Sequence, residues 1–147
     1  MHIERSATVR VPMPPAEALS LFTPEGERDW VPGWDPEAIH APDGSLSRDG
    51  AVFRTTHGGE ETVWLVVHVN PLLGAADYVR ITPGSRLGTV SVRCHDDGAG
   101  GSLVEVSYSL TALSPAGAGA LEAITPEAFA ADIRDWQTAI QRLLRPD

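Results

Sequence analysis

The chain has 147 residues, 42% of them apolar and 21% charged, with a formal net charge of -9 at pH 7. That length fits one compact domain with a core of its own and leaves no room for a second. The acidic balance, with 11 Lys and Arg residues scattered along the chain, argues against nucleic acid and anionic membrane surfaces as partners.

In chain order, Ile3 to Val11 alternates and stops at Pro12, which suits a first strand, and Pro14-Pro15 then opens a short helix through Phe22. Thr23-Pro24 reads as an N-cap followed by a first-turn proline, so a second short helix is expected to about Trp30. Val31-Pro32-Gly33-Trp34-Asp35-Pro36 cannot be helical throughout, and its tryptophans are expected to pin a loop against the end of a sheet. Strand-like segments follow near Ala38 to Ala41, Ala51 to His57, Glu60 to Asn70, Ala76 to Thr82, Leu87 to His95 and Leu103 to Leu113. Ser114-Pro115 and Thr125-Pro126 are both cap-and-start pairs, so the last helix begins twice or kinks at Pro126 before running to about Leu144. On it Leu121, Phe129, Ile133, Trp136, Ile140, Leu143 and Leu144 follow the spacing of one helical face. Most of that stripe is read as core, with Phe129 and Ile133 lining a cavity.

The order strand, short helices, antiparallel strands, long helix describes a grip. A single helix laid across a curved sheet covers it incompletely, and the space between them is where a ligand would bind. The turn His57-Gly58-Gly59-Glu60 has glycines available for positive φ, which pairs His57 with Glu60, Thr55 with Thr62, Phe53 with Trp64 and Ala51 with Val66. Continuing the register through Asn70-Pro71-Leu72-Leu73-Gly74 places Tyr78 near His68 and Arg80 near Val66, on that same face. The opposite face carries Val52, Arg54, Val63, Leu65, Val67, Val79 and Ile81, so both faces are partly apolar and periodicity leaves open which is inside. In the last two strands Val90, Val92, Val104, Val106, Tyr108 and Leu110 alternate cleanly with polar residues and are read as inward.

Leu21-Phe22-Thr23-Pro24-Glu25-Gly26-Glu27-Arg28, Trp30, Pro32-Gly33-Trp34-Asp35-Pro36 and Val79-Arg80-Ile81-Thr82-Pro83-Gly84, together with the element order, carry a resemblance. The whole chain resembles the Bet v 1-like, START-related helix-grip superfamily, which includes polyketide cyclases and aromatases, plant hormone receptors and a co-chaperone branch. The resemblance implies an α+β fold in which a curved antiparallel sheet of about six or seven strands wraps a long C-terminal helix, with two short helices after the first strand. It also implies that Trp64, Val66 and His68 point inward, and Tyr78 and Arg80 with them. Trp64 then replaces a polar ligand-coordinating residue of the receptors, which implies a smaller or flatter cavity.

With that face inward, the expected cavity residues are Phe53, Trp64, Val66, His68, Tyr78, Arg80, Val90, Val92, Tyr108, Phe129 and Ile133. Arg80 is a cation among aromatic walls and calls for an anionic group, while the walls suit a flat apolar body. Catalytic candidates are His68, Arg80 and Tyr78, with His68 able to move protons near neutral pH. Strong catalytic, phosphate and metal signatures are absent, and no cofactor or metal is expected; His57 and His68 are too far apart in the register to share an ion. The lone Cys94 excludes an internal disulfide and is read as a small buried residue. Met1 to Arg10 holds no apolar segment of the secretory type, and the longest apolar run, Val63 to Val67, cannot span a bilayer. The expectation is a cytoplasmic monomer or homodimer that binds or carries a hydrophobic, weakly acidic small molecule. Two alternatives stand beside it: an enzyme resembling polyketide aromatase/cyclases, and a co-chaperone-like module whose interface would be an exposed sheet face or the Trp30-Val31-Pro32-Gly33-Trp34 segment, a reading that exposed tryptophans would support.

Overall fold

A computed structural model describes residues 1–145. Seven strands form one antiparallel sheet: β1 (His2–Val11), β2 (Glu37–His40), β3 (Val52–His57), β4 (Glu60–Asn70), β5 (Ala75–Thr82), β6 (Arg86–Asp96) and β7 (Ser102–Ala112). From β2 to β7 each strand pairs with the next, and β1 returns to pair with β7, which gives the order β1-β7-β6-β5-β4-β3-β2. One face of this sheet is covered by helix α3 (Pro126–Leu144), which packs against β1 and buries Phe129, Ile133 and Ile140. The last helix does begin twice. Helix α2 (Pro115–Glu122) is capped by the Ser114 hydroxyl, which accepts from Gly117 N–H at 3.1 Å, and α3 by the Thr125 hydroxyl, which accepts from Ala128 N–H at 3.1 Å. No helix among the described residues is long and apolar enough to cross a membrane.

The segment after β1 is tighter than two ordinary helices. A single α-turn, α1 (Pro15–Ala18), passes into a 3₁₀ turn at Leu19–Phe22 and, after Thr23-Pro24, a second 3₁₀ turn at Gly26–Asp29. The Thr23 hydroxyl accepts from Gly26 N–H at 3.1 Å, as its reading as a cap requires. Gly26 is forced by packing, because a Cβ there would run into the Ser20 carbonyl. Ala18, Leu19, Leu21 and Phe22 are thereby driven into the core and fix this segment over the sheet.

The β3–β4 hairpin has the expected register, with Phe53 opposite Trp64 and both turn glycines at positive φ. The β4–β5 register departs from expectation by two residues: Trp64 faces Arg80 and Val66 faces Tyr78, while His68 faces Asp77. Val67 is the extra residue of a β-bulge between those pairs, and a bulge of one residue exchanges the faces beyond it. Trp64, Val66, Tyr78 and Arg80 keep their common face, and His68 loses it.

Candidate ligand cavity

Between the concave face of the sheet, the 24–34 segment and α3 lies a cavity of about 290 Å³, at the lower end of the range usual for small-molecule sites. One wall is aromatic. Phe53 and Trp64 stack with centroids 5.8 Å apart and planes 5° from parallel, and Trp34 meets both edge-on at 5.9 and 5.6 Å. The Trp34 indole N–H donates to the Pro24 carbonyl at 2.8 Å, so this residue both pins its loop and lines the cavity. Trp30 is buried behind it, donating to the Leu21 carbonyl at 2.8 Å and meeting Trp136 of α3 edge-on at 5.4 Å. Val90, Val92 and Val106 supply an aliphatic floor.

Four ionisable groups define the electrostatics. The Arg80 guanidinium lies over the Trp64 ring, 4.8 Å from its centroid. Its Nε is buried without a hydrogen-bond partner, and no carboxylate pairs with it among the described residues. Burial holds its pKa below the ordinary arginine value, yet a guanidinium stays charged at neutral pH. Tyr78 donates its hydroxyl to the Phe22 carbonyl at 2.8 Å, and burial drives its pKa far up. It is a wall residue with a satisfied hydroxyl. Tyr108 packs edge-on against Phe129 at 5.0 Å, and burial pushes its pKa up to about 12 against the opposing pull of Arg80. Glu27, from the second 3₁₀ turn, also lines the cavity, and burial pushes its carboxyl up to about 8. At the mouth, Glu60 receives both terminal nitrogens of Arg86, at 2.7 and 3.1 Å.

Of the expected cavity residues, Phe53, Trp64, Tyr78, Arg80, Val90, Val92 and Tyr108 line this space. His68 does not. The bulge at Val67 turns it away from the cavity, where its Nδ1 lies 3.7 Å from Asp49 on a partly exposed surface. It is therefore removed from the catalytic candidates. Val66, Phe129 and Ile133 are buried on the expected side but stand in the packed core rather than in the cavity lining, Phe129 behind the Tyr108 ring. The residues missed by sequence reasoning are Glu27, Trp34, His57, Glu60, Arg86 and Trp136. Trp136 belongs to the stripe on α3, so its inward direction was available; nothing in the sequence around Glu27 marks a carboxylate for burial. No cluster of three His, Cys, Asp or Glu among the described residues is placed to hold a metal ion.

Comparison with solved structures places the fold. Norcoclaurine synthase from Thalictrum flavum, in complex with dopamine and hydroxybenzaldehyde, superposes with a TM-score of 0.68 at 15% identity, covering 100% of this chain and 89% of that one. The Zhui aromatase/cyclase from Streptomyces sp. R1128 gives 0.65 at 16% identity over 99% of both chains. Major latex-like protein 151 from Panax ginseng gives 0.65 at 12% identity, covering 98% and 95%. A search of curated proteins returns no match. These likenesses carry the Bet v 1-like helix-grip fold and nothing finer. The profile of polyketide cyclase / dehydrase and lipid transport proteins matches residues 2–144, and the chain belongs to that family.

Proposed function

We propose that this chain acts as a single domain that binds or carries a small, flat, hydrophobic molecule with an acidic group, held in the cavity between the sheet and α3. Arg80 carries the reading. A half-buried cation whose Nε is buried and unpartnered is costly, and part of that cost is recovered when an anionic oxygen arrives. Its planar fork suits a carboxylate or enolate, and the Phe53, Trp64 and Trp34 rings suit a planar body. The net charge of -9 supports a partner that is neither nucleic acid nor an anionic membrane, and the expected setting is a cytoplasmic monomer or homodimer.

A second reading, an enzyme that cyclises or dehydrates a polyketide-like chain, is favoured by Glu27, a carboxyl group that shares the cavity with Arg80 and the Tyr108 phenol. The co-chaperone-like reading finds no exposed tryptophan pair, since Trp30 is buried and Trp34 is engaged with the aromatic wall, and it would have to use the outer sheet face that carries Leu65 and Val67.

Native mass spectrometry of protein purified gently from its own host tests the first reading. A reproducible small-molecule adduct, absent from Arg80→Gln, is the expected result. A clean unliganded mass shifts the weight to the enzyme reading, in which substrates are transient.

A further inference from the structure

The cavity holds both tyrosines of the chain, and they are differently spent. Tyr78 of β5 and Tyr108 of β7 each pair with Val90 of β6, the strand between them, so they stand in one row of the concave face. Tyr78 donates its hydroxyl to the Phe22 carbonyl at 2.8 Å. The Tyr108 hydroxyl has no hydrogen-bond partner among the described residues, and it keeps accessible surface where the Arg80 Nε has none. Its ring is nonetheless fixed, because Phe129 of α3 meets it edge-on at 5.0 Å. Nearby polar groups of the wall follow Tyr78 rather than Tyr108. Trp34 gives its indole proton to the Pro24 carbonyl at 2.8 Å, Trp64 gives its own to the Thr55 hydroxyl at 3.0 Å, and the Thr62 and Thr82 hydroxyls satisfy each other at 2.7 Å.

Arg80 and Tyr108 stand on different sides of this space. Arg80 pairs with Trp64 of β4 and holds its guanidinium 4.8 Å from that ring's centroid, so its charge lies on the β4 side. From β4 to β7 the sheet counts three strand spacings, roughly 14 Å along the concave face. The apolar side chain of Val90 lies between. A flat molecule whose acidic group meets Arg80 therefore directs its other end toward the phenol.

We propose that the Tyr108 hydroxyl is the second polar contact of this site, a specificity-determining group that shares a hydrogen bond with a hydroxyl or carbonyl oxygen at the end of the ligand remote from its acidic group. The ligand class is then a two-ring or similarly flat acid that carries a neutral oxygen function on its remote ring. This rests on the reading of the cavity as a ligand site. A phenol both donates and accepts, so either oxygen function serves. Against Val90 and Phe129 alone, such an oxygen would be desolvated without compensation.

Calorimetric titration tests this with naphthoate and with hydroxynaphthoates whose hydroxyl lies on the ring remote from the carboxylate. In the wild type one hydroxylated isomer is expected to bind about 5-fold more tightly than naphthoate, as one neutral hydrogen bond allows. Tyr108→Phe, which keeps the ring against Phe129, is expected to lose that preference, the hydroxylated isomer losing more affinity than naphthoate does. No isomer preferred by the wild type, or a preference that survives in Tyr108→Phe, overturns the assignment. Carbon NMR of wild type labelled at the tyrosine Cζ gives an independent readout, since the chain has one signal for Tyr108 and one for Tyr78. The preferred isomer is expected to shift the Tyr108 signal from its position with naphthoate and to leave that of Tyr78 unmoved. A Tyr108 signal identical with the two ligands overturns the assignment while the ligand reading stands. Absence of any naphthoate binding to the wild type overturns the ligand reading, and the assignment with it.

Discussion

Arg80 and Arg86 stand at the same cavity and have opposite fates. Arg86, at the mouth, is held by Glu60 through two hydrogen bonds and by the Ser85 hydroxyl at 3.0 Å. Arg80, deeper in, rests on the Trp64 ring with its Nε buried and unpartnered. The first is satisfied by the protein itself and contributes to its architecture; the second carries a desolvation cost that the protein alone does not offset. In the reading proposed above, the cation left in that condition on an aromatic wall is the group that meets the ligand.

The largest effect comes from removing the surface under Arg80. Trp64→Ala deletes the ring that stacks on Phe53 and meets Trp34, and it is expected to cost about 3–5 kcal/mol in urea denaturation. The arginines themselves should then part company. Arg80→Met is expected to stabilise the empty protein by about 1 kcal/mol, because it removes an unpaired, partly desolvated charge, while Arg86→Met destabilises by about 0.5–1 kcal/mol through loss of its two hydrogen bonds to the half-exposed Glu60. Equal and small changes at the two sites would erase the distinction.

Glu27 extends the comparison to pH. Its folded pKa is raised to about 8, above the ordinary glutamate value, so between those two points the unfolded chain has lost a proton that the folded chain keeps. Its contribution to stability is therefore fully present below the unfolded pKa and is lost as pH rises through about 8. Thermal melts of Glu27→Gln against wild type should diverge in favour of the variant as pH increases and level off above that point. Divergence on acidification would contradict the assignment. The smallest effect belongs to His68, whose pairing with Asp49 is partly exposed: His68→Ala is expected to change stability by less than about 0.5 kcal/mol and probe binding not at all.

His68 also shows where sequence reading stops. Gly58-Gly59 fixed the β3–β4 turn, and the pairing of Phe53 with Trp64 followed from it, because a two-residue hairpin leaves no freedom in register. The alternation of β6 and β7 was equally plain, and Val90, Val92, Val104, Val106 and Leu110 are buried as expected. Along β4 the pattern is ambiguous, since Leu65 and Val67 are apolar yet exposed on the outer face. An apolar run of that kind hides a one-residue bulge, and His68 was assigned to the wrong side through it. Glu27 was illegible for a different reason: the cavity it lines is shared with Tyr78, Tyr108 and Trp136, which are distant in the chain and share that space only in the folded protein.

The central claim, that Arg80 is held for an acidic ligand, is tested most directly by calorimetric titration of naphthoate and its neutral carboxamide into wild type and Arg80→Gln. The account predicts that wild type prefers naphthoate over the carboxamide by about 10-fold or more and that Arg80→Gln loses this preference, since hydrogen bonds to a charged partner are worth about 1.5–3 kcal/mol. Naphthoate binding with the same affinity and the same preference in both proteins would contradict it.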